Sequence, residues 1–130
     1  HLSTRRQRQM CIRDRSLKLN TRIICVKTVR DRNGLPLSSR NSYLSGQEFK
    51  IAIKINKLLK KLPPLIRTKL KINKILNHTK KVLLDHGVDK VDYLTVLNDD
   101  LSVRKKISDK SRIFIAAKIG NTRLIDNIKI

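Results

Sequence analysis

The stretch SGQEFKIAIKINKLLKKL, residues 45–62, carries the strongest structural signal in the chain. Ser45 followed three residues later by Glu48 is a capping box, in which the serine hydroxyl accepts a hydrogen bond from an early helix N–H and the glutamate reaches back to the cap. Five apolar residues recur at spacings of three and four and form one stripe: Phe49, Ala52, Ile55, Leu59 and Leu62. A helix is predicted to start at this box and to end at Pro63-Pro64.

A second apolar stripe after the prolines predicts the other arm of a helical hairpin. Its members are Leu65, Ile72, Ile75, Leu76, Leu83 and Leu84. The stripe runs to His86-Gly87, and glycine commonly follows the last helical residue because it adopts the left-handed conformation without strain. The two stripes together predict two adjacent helices.

The sequence period changes beyond Gly87 from that of helices to that of strands. The segments VDYLTVLN (91–98), LSVRK (101–105) and RIFIAAKI (112–119) predict three short antiparallel strands, with a turn at Asp99-Asp100. Two strand faces are expected, formed by Val91, Tyr93, Thr95 and Leu97 and by Ile113, Ile115, Ala117 and Ile119. Helices followed by strands indicate an α+β domain.

Upstream of the capping box, TRIICVKTV (21–29) predicts a strand of a different kind. Its apolar residues are contiguous rather than alternating, which is typical of a parallel sheet covered on both faces. The preceding residues supply neither a partner strand nor a covering helix. We therefore interpret residues 16–44 as the end of a larger lobe and residues 45–130 as a separate C-terminal domain.

Between these parts lies TVRDRNGLPLSSRNSYLS (28–45), the most polar and turn-rich part of the chain. A turn is predicted at Asp31 to Gly34, because Asn-Gly adopts positive φ at little cost. The hydroxyls of Ser38 and Ser39 can cradle phosphate oxygens, and the planar fork of Arg40 can bind two oxygens at once. In the alternative interpretation, one of the two serines caps a short helical turn and Arg40 pairs with a carboxylate.

Composition fits one domain of 130 residues with 39% apolar and 32% charged residues, and no apolar run approaches the length of a membrane span. A net charge of +21 favours nucleic-acid binding at first sight. The lysines are spread through the helices, however, and aromatic residues make up only 3% of the chain without basic residues interleaved among them. Specific nucleic-acid binding is not expected, and a small basic nucleic-acid-binding module is the alternative function.

The first fifteen residues, HLSTRRQRQMCIRDR, show neither a helical nor a strand period and no secretory signal. RQRQMCIRD resembles translated sequencing-adapter read-through, so residues 1–15 are interpreted as non-native or as a disordered basic arm. The cytoplasm is the expected location. Cys11 and Cys25 have no metal-ligand spacing and are expected to be free thiols.

Three segments in this order resemble the pantothenate synthetase (pantoate–β-alanine ligase) family. They are TVRDRNGLPLSSRNSYLS (28–45), KVDYLTVLNDD (90–100) and RIFIAAKIGNTRLIDNI (112–128). The resemblance runs from about Ser16 to Ile130 and covers the end of a Rossmann-like nucleotide-binding lobe and the small C-terminal domain. Pro36 and Leu37 depart from the Ala and Met that are common in the family.

The resemblance implies an adenylate-forming ligase. In that family ATP, accompanied by Mg²⁺, and pantoate give pantoyl adenylate and pyrophosphate, and the β-alanine amine then displaces AMP to form pantothenate. Carried over by position, the ATP-binding residues are Val29, Leu37, Ser38, Ser39 and Arg40, and no catalytic or metal-ligating residue is assigned. Intact members are expected to be homodimers without a membrane partner, and this chain is interpreted as a fragment that is inactive alone.

The remaining polar candidates are expected to be structural. His78 and His86 have no acidic or cysteine ligand clustered near them and are interpreted as solvated helix-face residues. Asp99-Asp100 is read as a turn rather than as a catalytic carboxylate pair. Arg123 and Asp126 lie three residues apart and are expected to pair with each other.

Overall fold

The computed structural model describes residues 20, 24, 26–68, 71–98, 107 and 110–130. A short 3-10 helix, Ser39–Tyr43, precedes helices α1, Gly46–Arg67, and α2, Ile72–Asp85. Strands β1, Lys90–Leu97, β2, Arg112–Ile119, and β3, Thr122–Lys129, follow and form an antiparallel sheet in the order β1-β2-β3. Two helices and a three-stranded antiparallel sheet confirm the predicted α+β architecture.

Helix α1 begins as its sequence predicts. The Ser45 hydroxyl accepts from the Glu48 backbone N–H at 3.2 Å, and the Glu48 carboxylate accepts from the Ser45 N–H at 3.0 Å. Both halves of the capping box are therefore present, and each satisfies an N–H group that lacks a partner within the helix. The predicted stripe is buried at Ala52, Ile55, Leu59 and Leu62.

The predicted end of this helix is wrong, because α1 continues through Pro63 and Pro64 to Arg67. The two prolines remove two backbone donors, but the next turn places Ile66 in the core with no exposed surface. Burial of that side chain offsets part of the cost of the lost hydrogen bonds. Leu65 belongs to α1 rather than to the second helix, and both it and Leu84 are 47% exposed, so neither lies on a buried stripe.

The sheet corrects two further expectations. A β-bulge between Val91 and Tyr93 shifts the register of β1, so Leu94 and Val96 are buried opposite Ile115 and Ile113. The predicted β1 face of odd-numbered residues is therefore wrong beyond Val91, since one extra residue reverses the alternation. The third strand is β3, which the sequence analysis did not predict, and the predicted strand at 101–105 lies outside the described residues.

One core lies between the helices and one face of the sheet. From β2 it takes Ile113, Ile115, Ala117 and Ile119, the face that alternation predicts. From the helices it takes Ala52, Ile55, Leu59, Leu62, Ile66, Leu76 and Leu83. Leu35, upstream of α1, is 5% exposed and belongs to the same core, so the polar segment before α1 is packed against the domain.

The predicted strand at residues 21–29 is not observed in the part of it that the structure describes. Ile24 and residues 26–29 lie outside any strand, and the nearest pairing is an isolated antiparallel bridge between Arg30 and Pro36. Ile24, Val26 and Val29 are 69%, 64% and 61% exposed. These apolar side chains therefore have little cover from the described part of the chain.

Candidate functional site

The loop of residues 29–40 contains all five residues that the sequence analysis selects for ATP binding. Its tip is the predicted Asn-Gly turn, in which the Gly34 N–H donates to the Asp31 carbonyl at 3.0 Å and Gly34 adopts a φ of 85°. The Asp31 carboxylate accepts from the N–H groups of Asn33 at 2.8 Å and Leu35 at 3.0 Å. The turn is thus fixed by its own first side chain, as expected for Asp at this position.

The two sides of the loop are held together at their ends. The Leu37 N–H donates to the Val29 carbonyl at 3.0 Å, and the Asn41 side-chain amide donates to the Pro36 carbonyl at 2.9 Å. These bonds bring Val29 next to the segment that begins at Leu37. Two predicted ligand-contacting residues that lie eight positions apart in sequence are therefore neighbours.

All five predicted ATP-binding residues line one cleft of about 680 Å³: Val29, Leu37, Ser38, Ser39 and Arg40. Ser39 and Arg40 are exposed, and Ser38 is half-buried. The cleft is also lined by residues of α1 and β2 and by the β3 segment Arg123 to Asn127. The structure therefore brings the five residues together at a concave surface, the usual form of a small-molecule site.

The alternative interpretation of this loop holds for one residue. The Ser38 hydroxyl accepts from the Arg40 backbone N–H at 3.3 Å and caps the 3-10 helix Ser39–Tyr43. Within the described residues, by contrast, no carboxylate pairs with the Arg40 side chain. Ser38 therefore has a structural role and keeps its hydroxyl proton for donation, and the Arg40 guanidinium remains available to an anion.

Arg30 was not singled out by the sequence analysis, although its side chain makes four hydrogen bonds. Its guanidinium donates to both carboxylate oxygens of Asp126 at 2.9 Å, to the Gly34 carbonyl at 2.9 Å and to the Asn127 carbonyl at 3.1 Å. The expected pairing of Asp126 with Arg123 is wrong. Residues three apart in a strand point to opposite faces, so these two side chains cannot meet.

Arg123 instead donates to the Asp92 carboxylate at 2.7 Å, and this pair is exposed. Asp92 is the bulge residue of β1, and Lys90 lies 3.4 Å from its other oxygen. The Arg123 hydrogen bond, aided by Lys90, holds the pKa of Asp92 below its ordinary value, against a smaller opposing effect of desolvation. The same hydrogen bond raises the pKa of Arg123.

Asn56 of α1 lines the cleft and was not anticipated as a site residue. It is 1% exposed, and neither its side-chain oxygen nor its nitrogen has a hydrogen-bond partner in the described structure. Its carboxamide packs against the turn, because a Cβ added to Gly34 would lie 2.5 Å from the Asn56 oxygen. A lone polar residue within an apolar helix stripe is the sequence signal that could have drawn attention to it.

Other polar candidates do not join this site. His78 and His86 are exposed on or just beyond α2, and His86 Nδ1 lies 2.7 Å from the Val82 carbonyl. Among the described residues there is no group of three side chains suited to a metal ion, and none of the described helices has the length and apolar character needed to cross a membrane. Residues 1–15, Cys25 and Asp99-Asp100 lie outside the described part of the chain.

The chain is similar to known proteins in both sequence and fold. Pantothenate synthetases from Endomicrobium trichonymphae and Bradyrhizobium sp. strain BTAi1 are 41% and 38% identical to the chain and match 88% and 89% of it. The pantothenate synthetase of Thermus thermophilus superimposes with a TM-score of 0.80 at 25% identity, covering 95% of this chain and 45% of that one. The pantoate-beta-alanine ligase of Francisella tularensis, solved with beta-gamma ATP and beta-alanine, gives 0.62 at 31% identity and covers 93% and 39%.

The matches cover nearly all of this chain but less than half of each relative. The chain spans about two-fifths of the length of the curated relatives, 40% and 41% for the two named above. A family model described as pantoate-beta-alanine ligase matches residues 6–129, which is nearly the whole chain. The chain therefore belongs to the pantoate–β-alanine ligase family and corresponds to its C-terminal portion.

Proposed function

We propose that this chain is the part of an ATP-dependent ligase that binds the phosphates of ATP. The complete enzyme joins pantoate and β-alanine through pantoyl adenylate and releases AMP and pantothenate. The observation that carries the proposal is the convergence of Val29, Leu37, Ser38, Ser39 and Arg40 on one cleft in a chain of this family. The relative solved with beta-gamma ATP and beta-alanine supports ATP as the ligand.

The chemistry of the cleft suits an anion that gains charge during the reaction. The Arg40 guanidinium is exposed and has no protein carboxylate competing for it in the described structure, and its planar fork matches two phosphate oxygens. The Ser38 and Ser39 hydroxyls lie next to it in sequence and donate to further oxygens. As pantoyl adenylate forms, the negative charge that develops on departing pyrophosphate is stabilised by these donors, without any covalent step in the loop.

The positive residues of the cleft reinforce this preference. Lys27 lines it together with Arg40, whereas Asp126, the acidic residue of its wall, is already neutralised by Arg30. The balance of unpaired charge at the cleft is therefore positive, which favours phosphate over a cation.

Magnesium, the substrates and the assembly complete the proposal. Mg²⁺ enters as part of the MgATP substrate, since the described residues offer no set of protein ligands for it and the ion is commonly held largely by phosphate oxygens. Pantoate and β-alanine bind to residues in the N-terminal portion of the complete enzyme, which this chain does not include. We further propose that the complete enzyme is a homodimer in the cytoplasm.

The test compares the chain alone with the chain joined behind the N-terminal portion of a relative. The chain alone is expected to form no pantothenate from ATP, pantoate and β-alanine, whereas the joined protein is expected to be active. In the joined protein, Arg40→Ala should lower pantoate-dependent pyrophosphate release by about a hundredfold or more, the usual cost of losing a transition-state donor. Arg32→Ala, which removes an exposed arginine from the same loop, is the matched control.

Two results would contradict the proposal. Pantothenate formed by the chain alone would show that the activity does not need the remainder of the enzyme. An Arg40→Ala protein that releases pyrophosphate at the rate of the Arg32→Ala protein would show that the loop does not contact the phosphates.

A further inference from the structure

We propose that Arg30 and Asp126 are positioning residues that fix the phosphate-binding loop to β3, an inference that rests on the proposed function. Arg30 does not line the cleft, whereas its neighbour Val29 does. Any effect of Arg30 on a ligand in the cleft must therefore pass through the loop or through Asp126, which lines the cleft. The pair joins residues 96 positions apart and ties the loop to the most C-terminal strand.

The pair uses both terminal nitrogens of the guanidinium, each of which donates twice. One terminal nitrogen donates to Asp126 Oδ2 and to the Gly34 carbonyl, and the other donates to Asp126 Oδ1 and to the Asn127 carbonyl. The side chains of Arg30 and Asp126 are 24% and 9% exposed, so water screens the interaction weakly. A single side chain thus joins the tip of the loop to two consecutive residues of β3.

A short series of contacts leads from this pair to the phosphate-binding residues. Next to Arg30, the Val29 carbonyl accepts from the Leu37 N–H, and Arg30 and Pro36 form a backbone bridge. Leu37 leads directly into Ser38, whose hydroxyl caps the helical turn that contains Arg40. Loss of the Arg30 anchor would let the Leu37 end of the loop move, and Ser38 and Arg40 would move with it.

Lysine cannot replace arginine in this arrangement. The four acceptors lie in two pairs that match the two ends of a planar fork, whereas a lysine ammonium presents three donors from one point. Arg30→Lys therefore keeps the charge and removes the geometry. Asp126→Asn is the complementary change, because it keeps the shape of the side chain and removes the charge.

The test uses the 130-residue chain with two readouts, amide hydrogen exchange and inorganic pyrophosphate affinity measured by calorimetry. In Arg30→Lys and in Asp126→Asn the Leu37 amide should exchange about tenfold faster or more, as expected for loss of charge-assisted hydrogen bonds, while the Ile113 and Ile115 amides keep their protection. Pyrophosphate affinity should fall about fivefold or more in Arg30→Lys, which keeps the charge. Asp126→Asn also removes a negative charge from the cleft wall, so its exchange rate is the readout used for that variant. Arg32→Lys is the matched control and should change neither readout.

The double variant tests whether the two residues act as a unit. If Arg30 acts through Asp126, combining the two substitutions should accelerate Leu37 exchange no further than the larger single effect. Additive effects would overturn the pairing. If the β2 amides of Arg30→Lys lost their protection from exchange, that variant would be unfolded. The exchange of Leu37 in Asp126→Asn would then decide whether the pair holds the loop.

Three outcomes separate this inference from the proposed function. Leu37 exchange that stays within about twofold of the wild-type rate in both single variants would overturn the positioning role, because strong hydrogen bonds had been removed without effect. In Arg30→Lys, faster exchange with unchanged pyrophosphate affinity would overturn the link between loop position and phosphate binding. A wild-type chain that binds no pyrophosphate would contradict the proposed phosphate site, and the exchange result would still decide whether Arg30 holds the loop.

Discussion

Among single residues, Asn56 has the most unfavourable surroundings in the described structure, since its buried carboxamide lacks any hydrogen-bond partner there. A buried polar group without a partner costs roughly 1–3 kcal/mol. Asn56→Leu, a change of similar volume, should therefore raise the free energy of unfolding by about 1 kcal/mol, measured by thermal or urea denaturation. Asn56→Asp should lower it, because burial of a charge is costlier still.

Asn77→Leu is the control for this substitution. Asn77 is exposed on α2, so its replacement reports only the better helix propensity of leucine. A lower melting temperature for Asn56→Leu than for Asn77→Leu would show that the Asn56 amide has a partner in solution, such as a bound water or a ligand in the cleft.

The exposed Asp92–Arg123 pair makes a prediction about acid stability. Because the folded protein lowers the pKa of Asp92, the pair stabilises the fold fully above the ordinary carboxyl value of 3.8, and this contribution is lost as the pH falls through the lowered value. An NMR titration of the side-chain carboxyl should place the Asp92 midpoint below 3.8. Arg123→Gln should move that midpoint upward, since it removes the largest cause of the shift. An unchanged midpoint would show that the hydrogen bond does not form in solution.

At the scale of elements, local signals predicted structure well and non-local ones did not. The capping box of α1 and the alternation of β2 depend on neighbours within a few residues, and both were confirmed. The face of β1 was wrong because its bulge is defined only by pairing with β2. β3 was not predicted because its sequence does not alternate cleanly between apolar and polar residues. Asp126 interrupts the pattern, since it lies opposite Ile115 on the face of the sheet that packs against the helices.

In the candidate site, too, residues that are close together in sequence were predicted and contacts between distant residues were not. The family resemblance selected five loop residues that meet at one cleft, because four of them are consecutive and the Asn-Gly turn returns the chain to the fifth. Arg30 and Asp126 could not be paired from sequence, since nothing local relates residues 96 positions apart. The end of α1 was missed for a related reason, as burial of Ile66 prevails over the local effect of Pro63 and Pro64.

The β2–β3 turn gives a prediction for an element junction. Gly120 has a φ of 56°, and a Cβ there would meet the Glu48 carboxylate of the capping box. Gly120→Ala should therefore lower the free energy of unfolding by about 1–2 kcal/mol from the backbone conformation alone, and further through displacement of Glu48. Gly46→Ala is the matched control, because no atom lies within 4 Å of its added Cβ. Equal melting temperatures for the two variants would contradict this close contact between the turn and α1.

At the scale of the whole molecule, three exposed apolar side chains before α1 predict that the chain associates with itself. Ile24, Val26 and Val29 are each more than 60% exposed, while the chain spans about two-fifths of its curated relatives. Exposed apolar residues close together in the chain favour association. Deleting the residues before Leu44 would be a poor test of this association. It would also remove Leu35, which packs in the core, and Arg30, which pairs with Asp126. Substitution of exposed residues leaves both contacts in place.

The 130-residue chain is therefore expected to form concentration-dependent oligomers, and Ile24→Asp combined with Val26→Asp should suppress them by adding charge to the patch. Light scattering over a range of concentrations measures the effect, and circular dichroism checks that the helices are retained. Leu84→Asp is the control, because Leu84 is 47% exposed on α2 outside the patch. A wild-type chain that stays monomeric at high concentration, or a Leu84→Asp variant that suppresses association equally, would show that these residues do not form a self-associating surface.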